Sequence, residues 1–169
     1  YDDLRKITPK LAINHPKWKM GEKISVDSST LMNKGLEIIE ACILFNISHK
    51  DIDAIIHPES IIHALINFYD FSSHAFLSQP NMEVSISSVL FNDKFISLDN
   101  YTLDLREISS LNFFHINNRK FKAIEIAKLS IELGGLIPSI LNYTNELMVK
   151  TFLEGDALFT DIVENNEII

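Results

Sequence analysis

The segment KISVDSSTLMNKGLEIIEACILFN, residues 23–46, is predicted to be the element around which the rest of the chain is organised. Its opening run, Lys23 to Val26, alternates polar and apolar side chains, which predicts the end of a β-strand. Residues 27–30, Asp-Ser-Ser-Thr, are all favoured as helix N-caps. Because the later residues other than Gly35 form helix well or tolerably, we predict a helix of about four turns that ends at Phe45.

The predicted helix has an unusual surface. Apolar side chains cover most of its circumference, as in a buried helix: Leu31, Met32, Leu36, Ile38, Ile39, Ala41, Cys42, Ile43, Leu44 and Phe45. Asn33, Lys34, Glu37 and Glu40 interrupt that surface, and their spacing places them on one side. Since an unpaired buried charge is costly, these groups should be paired, bind a ligand or line a wet cleft.

Two interpretations of this pattern stay open. The hydroxyls of residues 28–30 and the positive end of the helix dipole favour an anion, and Asn33 and Lys34 could complete a phosphate clamp. One turn further, Glu37 offers the hard oxygen ligands that Mg²⁺ or Mn²⁺ prefers. The alternative is structural: Ser and Thr are ordinary caps, and Lys34 with Glu37 is an ordinary ion pair.

Composition excludes several function classes. The 169 residues are 46% hydrophobic, enough for one sizeable core and a second small one. A formal charge of −8 argues against nucleic acid or an anionic membrane as partner. The single cysteine, Cys42, excludes an intramolecular disulfide, and we expect it to be buried and structural. No apolar run reaches the length of a membrane span.

Histidines occur in two further motifs. In HPKWKMG, residues 15–21, the only tryptophan stands between Pro16 and Gly21, so the segment is either a lid over a substrate or a loop anchored by Trp18. His57 and His63 flank a Pro-Glu-Ser turn, but their spacing across a proline matches no standard metal motif, and we favour hydrogen-bonded structural roles.

The remaining chain predicts short strands followed by helices. The predicted elements are a strand over 52–57, a hairpin with strands 61–70 and 74–79, a helix over 82–91 capped by Asn81, an irregular connection over 93–118, a helix over 120–133 stopped by Gly134-Gly135, a helix from Pro138 to about Leu153, and a further helix from Thr160. These elements predict an α+β fold with a small, mostly antiparallel sheet packed on helices, followed by a connecting segment and an α-helical C-terminal region.

Several of these motifs together resemble one family. KISVDSSTLMNKGLEIIEA, with HPKWKMG before it and IIHPESIIH after it, resembles 1-deoxy-D-xylulose 5-phosphate reductoisomerase. The resemblance continues through Gly134-Gly135, LNYTNE at 141–146 and FTDI at 159–162. It departs from the family pattern at Asn81 and Ser85, where Asp and Pro are usual, and at Phe91-Asn92, where Trp-Pro is common.

The resemblance implies an enzyme with a defined set of site residues. It would use NADPH and Mg²⁺ or Mn²⁺ to convert 1-deoxy-D-xylulose 5-phosphate to 2-C-methyl-D-erythritol 4-phosphate in non-mevalonate isoprenoid biosynthesis. The implied roles are as follows: His15, Ser28, Asn33, Lys34 and Glu37 bind substrate, His15, Trp18 and Glu37 are catalytic, Met20 and Gly21 contact the cofactor, Glu37 is a metal ligand, and Glu40 and His63 lie next to the site. Two further carboxylate ligands and one serine are expected upstream of Tyr1.

The resemblance also implies an organisation. We expect a catalytic domain over 1–92 with a flexible flap at 9–21, a linker over 93–118, and the beginning of a C-terminal helical domain over 119–169. The chain begins without Met and ends on Ile168-Ile169, so we expect an excerpt that lacks an N-terminal NADPH domain; its five glycines form no G-x-G-x-x-G loop. A homodimer in the bacterial cytoplasm or a plastid-type organelle is implied. The alternatives are a non-catalytic dimerisation segment and another metal-dependent sugar-phosphate isomerase.

Overall fold

The computed structural model describes residues 3–14, 20–91 and 102–166, without the side chains of Ser85 and Ser88. Its helices and strands are α1 Pro9–Ala12, α2 Glu22–Thr30, α3 Met32–Phe45, β1 Ile62–Asn67, β2 Ser73–Leu77, α4 Met82–Phe91, α5 Ala123–Leu133, α6 Ile137–Glu154 and α7 Phe159–Asn166. Short 3₁₀ turns form at Leu4–Lys6, His49–Asp51 and Leu105–Glu107. This arrangement confirms the predicted α+β class with a small antiparallel sheet.

Contacts divide the chain into two compact units. The first contains Tyr1–Ala54 together with Ile116–Ile169, and the second contains Ile55–His115. This division by contacts does not follow the domain boundaries expected from the sequence, because the C-terminal helices pack in the same unit as α2 and α3. The functional assignment of 1–92, 93–118 and 119–169 stays a prediction.

The first unit contains the buried apolar core. One cluster joins the N-terminal turns and α2 to the C-terminal helices: Leu4, Ala12, Val26, Val149, Phe152, Phe159 and Ile162. A second cluster joins α3, α5 and α6: Met32, Ile39, Ala123, Ile126, Ala127 and Leu141. The chain segments on either side of the second unit are therefore held together by apolar burial, the dominant favourable contribution to folding.

Gly35 sets the separation of α3 and α5. A Cβ atom at this position would lie 2.9 Å from the Cβ of Ala127 and 3.1 Å from the carbonyl oxygen of Ala123. The small residues on α5 thus meet a glycine on α3, and this close approach explains why the helix tolerates a residue of low helix propensity.

The predicted strand at Lys23–Val26 is wrong, because these residues form the first half of α2. Polar–apolar alternation over four residues is too short to distinguish a strand from a helix. In the helix, Ser25 and Val26 are both buried, and the Ser25 hydroxyl donates to the Gly21 carbonyl at 3.0 Å. Ser25 and Val26 are adjacent in sequence and both buried, so the burial does not alternate as it would in a strand.

The long helix α3 ends at Phe45, as predicted, but its expected burial is only partly correct. Met32, Gly35, Ile38 and Ile39 are buried. The last turn is exposed, with Ile43, Leu44 and Phe45 71%, 75% and 72% accessible in this chain. Cys42 is half-buried rather than buried, and desolvation raises the pKa of its thiol.

The second unit contains the predicted hairpin. Strands β1 and β2 pair antiparallel, with Leu65 opposite Ala75 and Ile66 opposite His74. In the turn, Asp70 accepts hydrogen bonds from the Ser72 amide and hydroxyl at 2.9 and 2.7 Å. Most residues of both strands are exposed in this chain. The predicted strand at 52–57 is wrong except at Ile56, which makes an isolated bridge to Phe114.

The later helices largely agree with prediction. Asn81 caps α4 by accepting the Glu83 amide at 2.8 Å. Gly134 ends α5 at φ 68°, and Gly155 ends α6 at φ 89°, in the left-handed region that glycine tolerates. The predicted connection at 93–118 lies partly outside the described residues. Among the helices that the structure describes, none combines the length and apolarity needed to cross a membrane.

Candidate functional site

Asn33, Lys34 and Glu37 form a hydrogen-bonded group on the first two turns of α3. Asn33 Nδ2 donates to Glu37 Oε1 at 2.7 Å, and Lys34 Nζ donates to Glu37 Oε2 at 2.6 Å. The predicted clustering of these side chains is therefore present. About half of each charged side chain is accessible, 49% for Lys34 and 47% for Glu37.

The exposure of this group determines what it can do chemically. An ion pair at an accessible surface contributes only about 0.2–1 kcal/mol, so its partners can separate at little cost. Glu37 could then turn its oxygens to a cation while Lys34 turns its ammonium group to an anion. This geometry agrees with both interpretations of the sequence. Lys34 and Glu37 form an ordinary surface ion pair, as the structural interpretation requires, and the pair can separate to bind a ligand, as the functional one requires.

Glu40 lies one turn beyond Glu37. Its side chain is exposed and makes no hydrogen bond or ion pair within the described part of the chain. It therefore adds negative charge next to Glu37 without competing for Asn33 or Lys34.

The expected anion site formed by residues 28–30 at a helix N-terminus is wrong in its geometry. These residues form the last turn of α2, where carbonyl groups rather than amides are free. Three of the four hydroxyls on α2 bond to carbonyl groups within it or at its cap: Ser25 to Gly21, Ser29 to Val26 at 2.8 Å, and Thr30 to Asp27 at 3.2 Å. The half-buried Ser28 hydroxyl has no partner among the described residues, so it is the one available to a ligand.

The true start of α3 still offers a positive helix end. Leu31 joins the two helices in the left-handed conformation, with φ 64°, and Thr30 Oγ1 accepts the Met32 amide at 3.3 Å. Asn33 and Lys34 follow in the first turn, where amide groups lack intrahelical acceptors. The positive helix end therefore lies at Met32–Lys34 of α3, whereas the sequence predicted it at residues 27–30.

His57 and His63 both make hydrogen bonds to carbonyl groups in the second unit. His57 Nδ1 lies 2.8 Å from the Asn112 carbonyl oxygen and 3.0 Å from Glu59 Oε2, and its ring stacks on Phe113. His63 Nε2 lies 3.3 Å from the Ser78 carbonyl oxygen. Within the described ranges, no three His, Cys, Asp or Glu residues are grouped so as to hold a metal ion.

Glu59 is held by the segment that contains Asn112. The Asn112 side chain donates to Glu59 Oε1 at 2.6 Å, and its amide donates to Oε2 at 3.1 Å. These hydrogen bonds lower the pKa of the Glu59 carboxyl group, the side-chain bond contributing most. These hydrogen bonds therefore link the loop that contains Glu59 to the loop that contains Asn112 within the second unit.

The expected lid falls largely outside the described residues, which include neither His15 nor Trp18. Met20 is half-buried, and Gly21 is the exposed N-cap of α2. A Cβ at Gly21 would meet nothing within 4 Å in this chain. The roles given to these four residues stay predictions.

Asp27 and Asn145 form a buried pair that sequence reasoning missed. Asn145 Nδ2 donates to Asp27 Oδ1 at 2.8 Å, across a separation of 118 residues. Two signals were present: Lys23 and Asp27 have ion-pair spacing on a helix, and Asn145 interrupts the apolar stripe formed by Leu141, Val149 and Phe152. Of the polar residues Asn142, Asn145 and Glu146 in this part of α6, only Asn145 is buried.

Family models account for most of the chain. One described as the 1-deoxy-D-xylulose 5-phosphate reductoisomerase C-terminal domain matches residues 1–45, and one described as the DXP reductoisomerase C-terminal domain matches residues 77–169. The second match alone covers more than half of the sequence.

Curated relatives carry the same family name. A 1-deoxy-D-xylulose 5-phosphate reductoisomerase from Persephonella marina is 44% identical over 158 residues, covering 94% of this chain and 42% of that protein. One from a Sulfurihydrogenibium species is 46% identical over 163 residues, covering 95% of this chain and 43% of that protein.

Solved structures agree in fold. A DOX-P reductoisomerase in complex with NADPH, fosmidomycin and magnesium superposes with a TM-score of 0.93 at 38% identity, over 98% of this chain and 41% of that one. The Zymomonas mobilis reductoisomerase in complex with NADPH gives 0.89 at 34% identity, over 99% of this chain and 43% of that one. The chain therefore belongs to the DXP reductoisomerase family, and it spans less than half the length of the relatives that it matches.

Proposed function

We propose that this chain is the C-terminal, catalytic part of an enzyme that converts 1-deoxy-D-xylulose 5-phosphate to 2-C-methyl-D-erythritol 4-phosphate with NADPH and a divalent cation, a step of non-mevalonate isoprenoid biosynthesis. The observation that carries the proposal is the group formed by Asn33, Lys34 and Glu37, in a chain that belongs to the reductoisomerase family. The activity requires further residues outside this chain, so the fragment alone is inactive.

Glu37 is the metal ligand that this chain supplies. Its carboxylate is accessible and held by exchangeable partners, which fits one coordination position of Mg²⁺ or Mn²⁺. The other carboxylate ligands come from residues outside the chain. A divalent cation held by Glu37 would supply Lewis-acid polarisation of the substrate carbonyl. Glu40 lies beside Glu37 and adds negative charge that favours cation binding.

Lys34, Asn33 and Ser28 bind the phosphosugar. The Lys34 ammonium group leaves Glu37 to pair with a substrate anion, while Asn33 and Ser28 offer an amide and a hydroxyl for polar substrate groups. The start of α3 adds its helix dipole to the attraction of the anion. Such local positive groups are needed because the formal charge of the chain is −8.

The segment around residues 15–21 closes over the substrate and cofactor. His15 and Trp18 contact the substrate and exclude water, and Met20 and Gly21 approach the nicotinamide. The family resemblance gives His63 a supporting role at the substrate site. Most of NADPH binds to an N-terminal domain outside this chain. Related reductoisomerase structures contain NADPH, magnesium and fosmidomycin, which supports this set of ligands.

The complete enzyme acts as a homodimer, in the bacterial cytoplasm or a plastid-type organelle. Its catalytic domain takes residues 1–92 of this chain, and its C-terminal helical domain begins at residue 119, with 93–118 as linker. This organisation rests on the resemblance to the reductoisomerase family.

The test uses the complete enzyme and a matched pair of lysine variants. Lys34→Ala should raise the KM for 1-deoxy-D-xylulose 5-phosphate about tenfold or more, because a charged hydrogen bond contributes about 1.5–3 kcal/mol. Lys50→Ala, an exposed lysine after α3, should leave KM unchanged. NADPH oxidation is the measurement.

Three outcomes would overturn the proposal. An unchanged KM in Lys34→Ala removes Lys34 from substrate binding. Turnover of the sugar phosphate without nicotinamide indicates a different isomerase. Absence of any turnover in the complete wild-type protein favours a non-catalytic dimerisation segment.

A further inference from the structure

Three helices meet at a buried polar cluster in the first unit. Asp27 of α2, Asn145 of α6 and Asn166 of α7 are each at most 2% exposed. Asn145 Nδ2 donates to Asp27 Oδ1 at 2.8 Å, and Asn166 Nδ2 donates to Asn145 Oδ1 at 3.4 Å and to the Ile162 carbonyl oxygen at 2.8 Å. The cluster thus connects the last turn of α2 to the C-terminal helices.

Asn145 supplies the directional contact to Asp27. Lys23 Nζ lies 2.6 Å from Asp27 Oδ2, but this ion pair lacks hydrogen-bond geometry and Lys23 is 43% accessible. A long, solvated lysine side chain can follow movements of its partner. The amide of Asn145 lies inside the core, so its hydrogen bond fixes where the Asp27 carboxyl group can lie.

The position of Asp27 governs the turn between α2 and α3. Its carbonyl oxygen accepts the Thr30 hydroxyl at 3.2 Å, and the same hydroxyl oxygen accepts the Met32 amide at 3.3 Å. Leu31 between them has φ 64°, a strained conformation for a non-glycine residue that persists only where neighbouring contacts enforce it. Ser28, which follows Asp27 directly, carries a hydroxyl that has no partner in the described part of the chain.

We propose that Asn145 is a positioning residue for the phosphosugar site. It holds Asp27 from the core side, and through Asp27 it fixes Ser28 and the Leu31 turn from which Asn33 and Lys34 extend. This role rests on the proposed function, since it assumes that Ser28 binds the substrate. Asn145 itself touches neither substrate nor cofactor.

The experiment uses the complete enzyme with Asn145→Ala and the matched control Asn142→Ala, an exposed asparagine on the same helix. Asn145→Ala should raise the KM for 1-deoxy-D-xylulose 5-phosphate about tenfold, since small misplacements of binding groups have large effects, and leave the KM for NADPH unchanged. Asn142→Ala should change neither constant. A purely structural defect would reduce the active fraction, and so kcat, without raising KM.

A double-mutant cycle links Asn145 to Ser28. If Asn145 acts through Ser28, then Ser28→Ala combined with Asn145→Ala should raise KM no more than the larger single effect. If the fold-increase in KM of the double variant equals the product of the two single fold-increases, the two residues act independently and the proposal is overturned. Hydrogen exchange of the amides over residues 28–34 should be faster in Asn145→Ala and unchanged in Asn142→Ala; equal exchange in both would also overturn it.

Exchanging the residue types at positions 27 and 145 distinguishes loss of positioning from loss of folding. Asn145→Asp places two carboxyl groups against each other, whereas Asp27→Asn with Asn145→Asp restores an amide–carboxylate hydrogen bond of reversed polarity. Asn145→Asp should raise KM, and the double variant should bring KM back towards the wild-type value. If the double variant regains the wild-type melting temperature but keeps the raised KM, the positioning role is overturned. A wild-type enzyme without turnover would overturn the proposed function instead, while hydrogen exchange would still decide whether Asn145 braces the turn.

Discussion

The last turn of α2 and the first turns of α3 carry similar groups in opposite environments. Asp27 and Glu37 each contact one lysine and one asparagine at 2.6–2.8 Å. Yet the Asp27 side chain is 1% accessible and the Glu37 side chain 47%. Asp27 reaches a distant helix, whereas the partners of Glu37 lie on its own helix.

Burial therefore separates structural from exchangeable carboxyl groups. Removing one partner of a buried pair leaves a desolvated polar group without compensation, which is strongly destabilising. Removing one partner at the surface returns the other to water at little cost. The same residue types form a buried pair in α2 and an accessible, exchangeable pair in α3.

The largest effect on stability is expected from Asp27→Ala. The substitution leaves the Asn145 amide buried without its acceptor and should cost about 3 kcal/mol of unfolding free energy. The melting temperature of the complete enzyme without ligands, followed by scanning calorimetry, should fall by several degrees. A change within experimental error would mean that the buried pair does not brace α2.

The smallest effect is expected from Glu37→Ala in the same assay. The side chain is half accessible and pairs with Asn33 and Lys34 of its own helix, so its removal should cost less than about 1 kcal/mol. The melting temperature should stay close to that of the wild type. A loss as large as that of Asp27→Ala would contradict the distinction between the two carboxyl groups.

Elements with strong local signals could be predicted from the sequence. Gly134 and Gly155 end α5 and α6, Asn81 caps α4, and the hairpin follows two apolar runs around a polar turn. In each case the signal acts within a few residues of the boundary that it sets. Local chemistry therefore decided these boundaries.

The junction of α2 and α3 could not be predicted. Leu31 adopts a left-handed conformation that its residue type does not favour, so tertiary contacts rather than local propensity place the break. The four candidate caps at residues 27–30 consequently ended a helix instead of beginning one. Exposure of the last turn of α3 also depends on neighbours that a periodic pattern does not specify.

The contacts of the candidate site between residues close in sequence could be predicted. Spacings of three and four residues placed Asn33 and Lys34 next to Glu37, and the structure shows the corresponding hydrogen bonds. The pair of Asp27 and Asn145 spans 118 residues, and no local pattern indicates which distant side chain an interrupted apolar stripe will meet.

The most direct test of the account compares Glu37→Gln with Glu40→Gln in the complete enzyme. Both replace a carboxylate on the same side of α3 by an amide of equal size. Mg²⁺-dependent turnover, measured as NADPH oxidation over a magnesium titration, should fall more than about a hundredfold in Glu37→Gln, because even groups outside the coordination sphere contribute about 10- to 100-fold. Glu40→Gln should retain most of its activity, with a weaker apparent affinity for magnesium. Full activity of Glu37→Gln at the wild-type magnesium concentration would contradict the account.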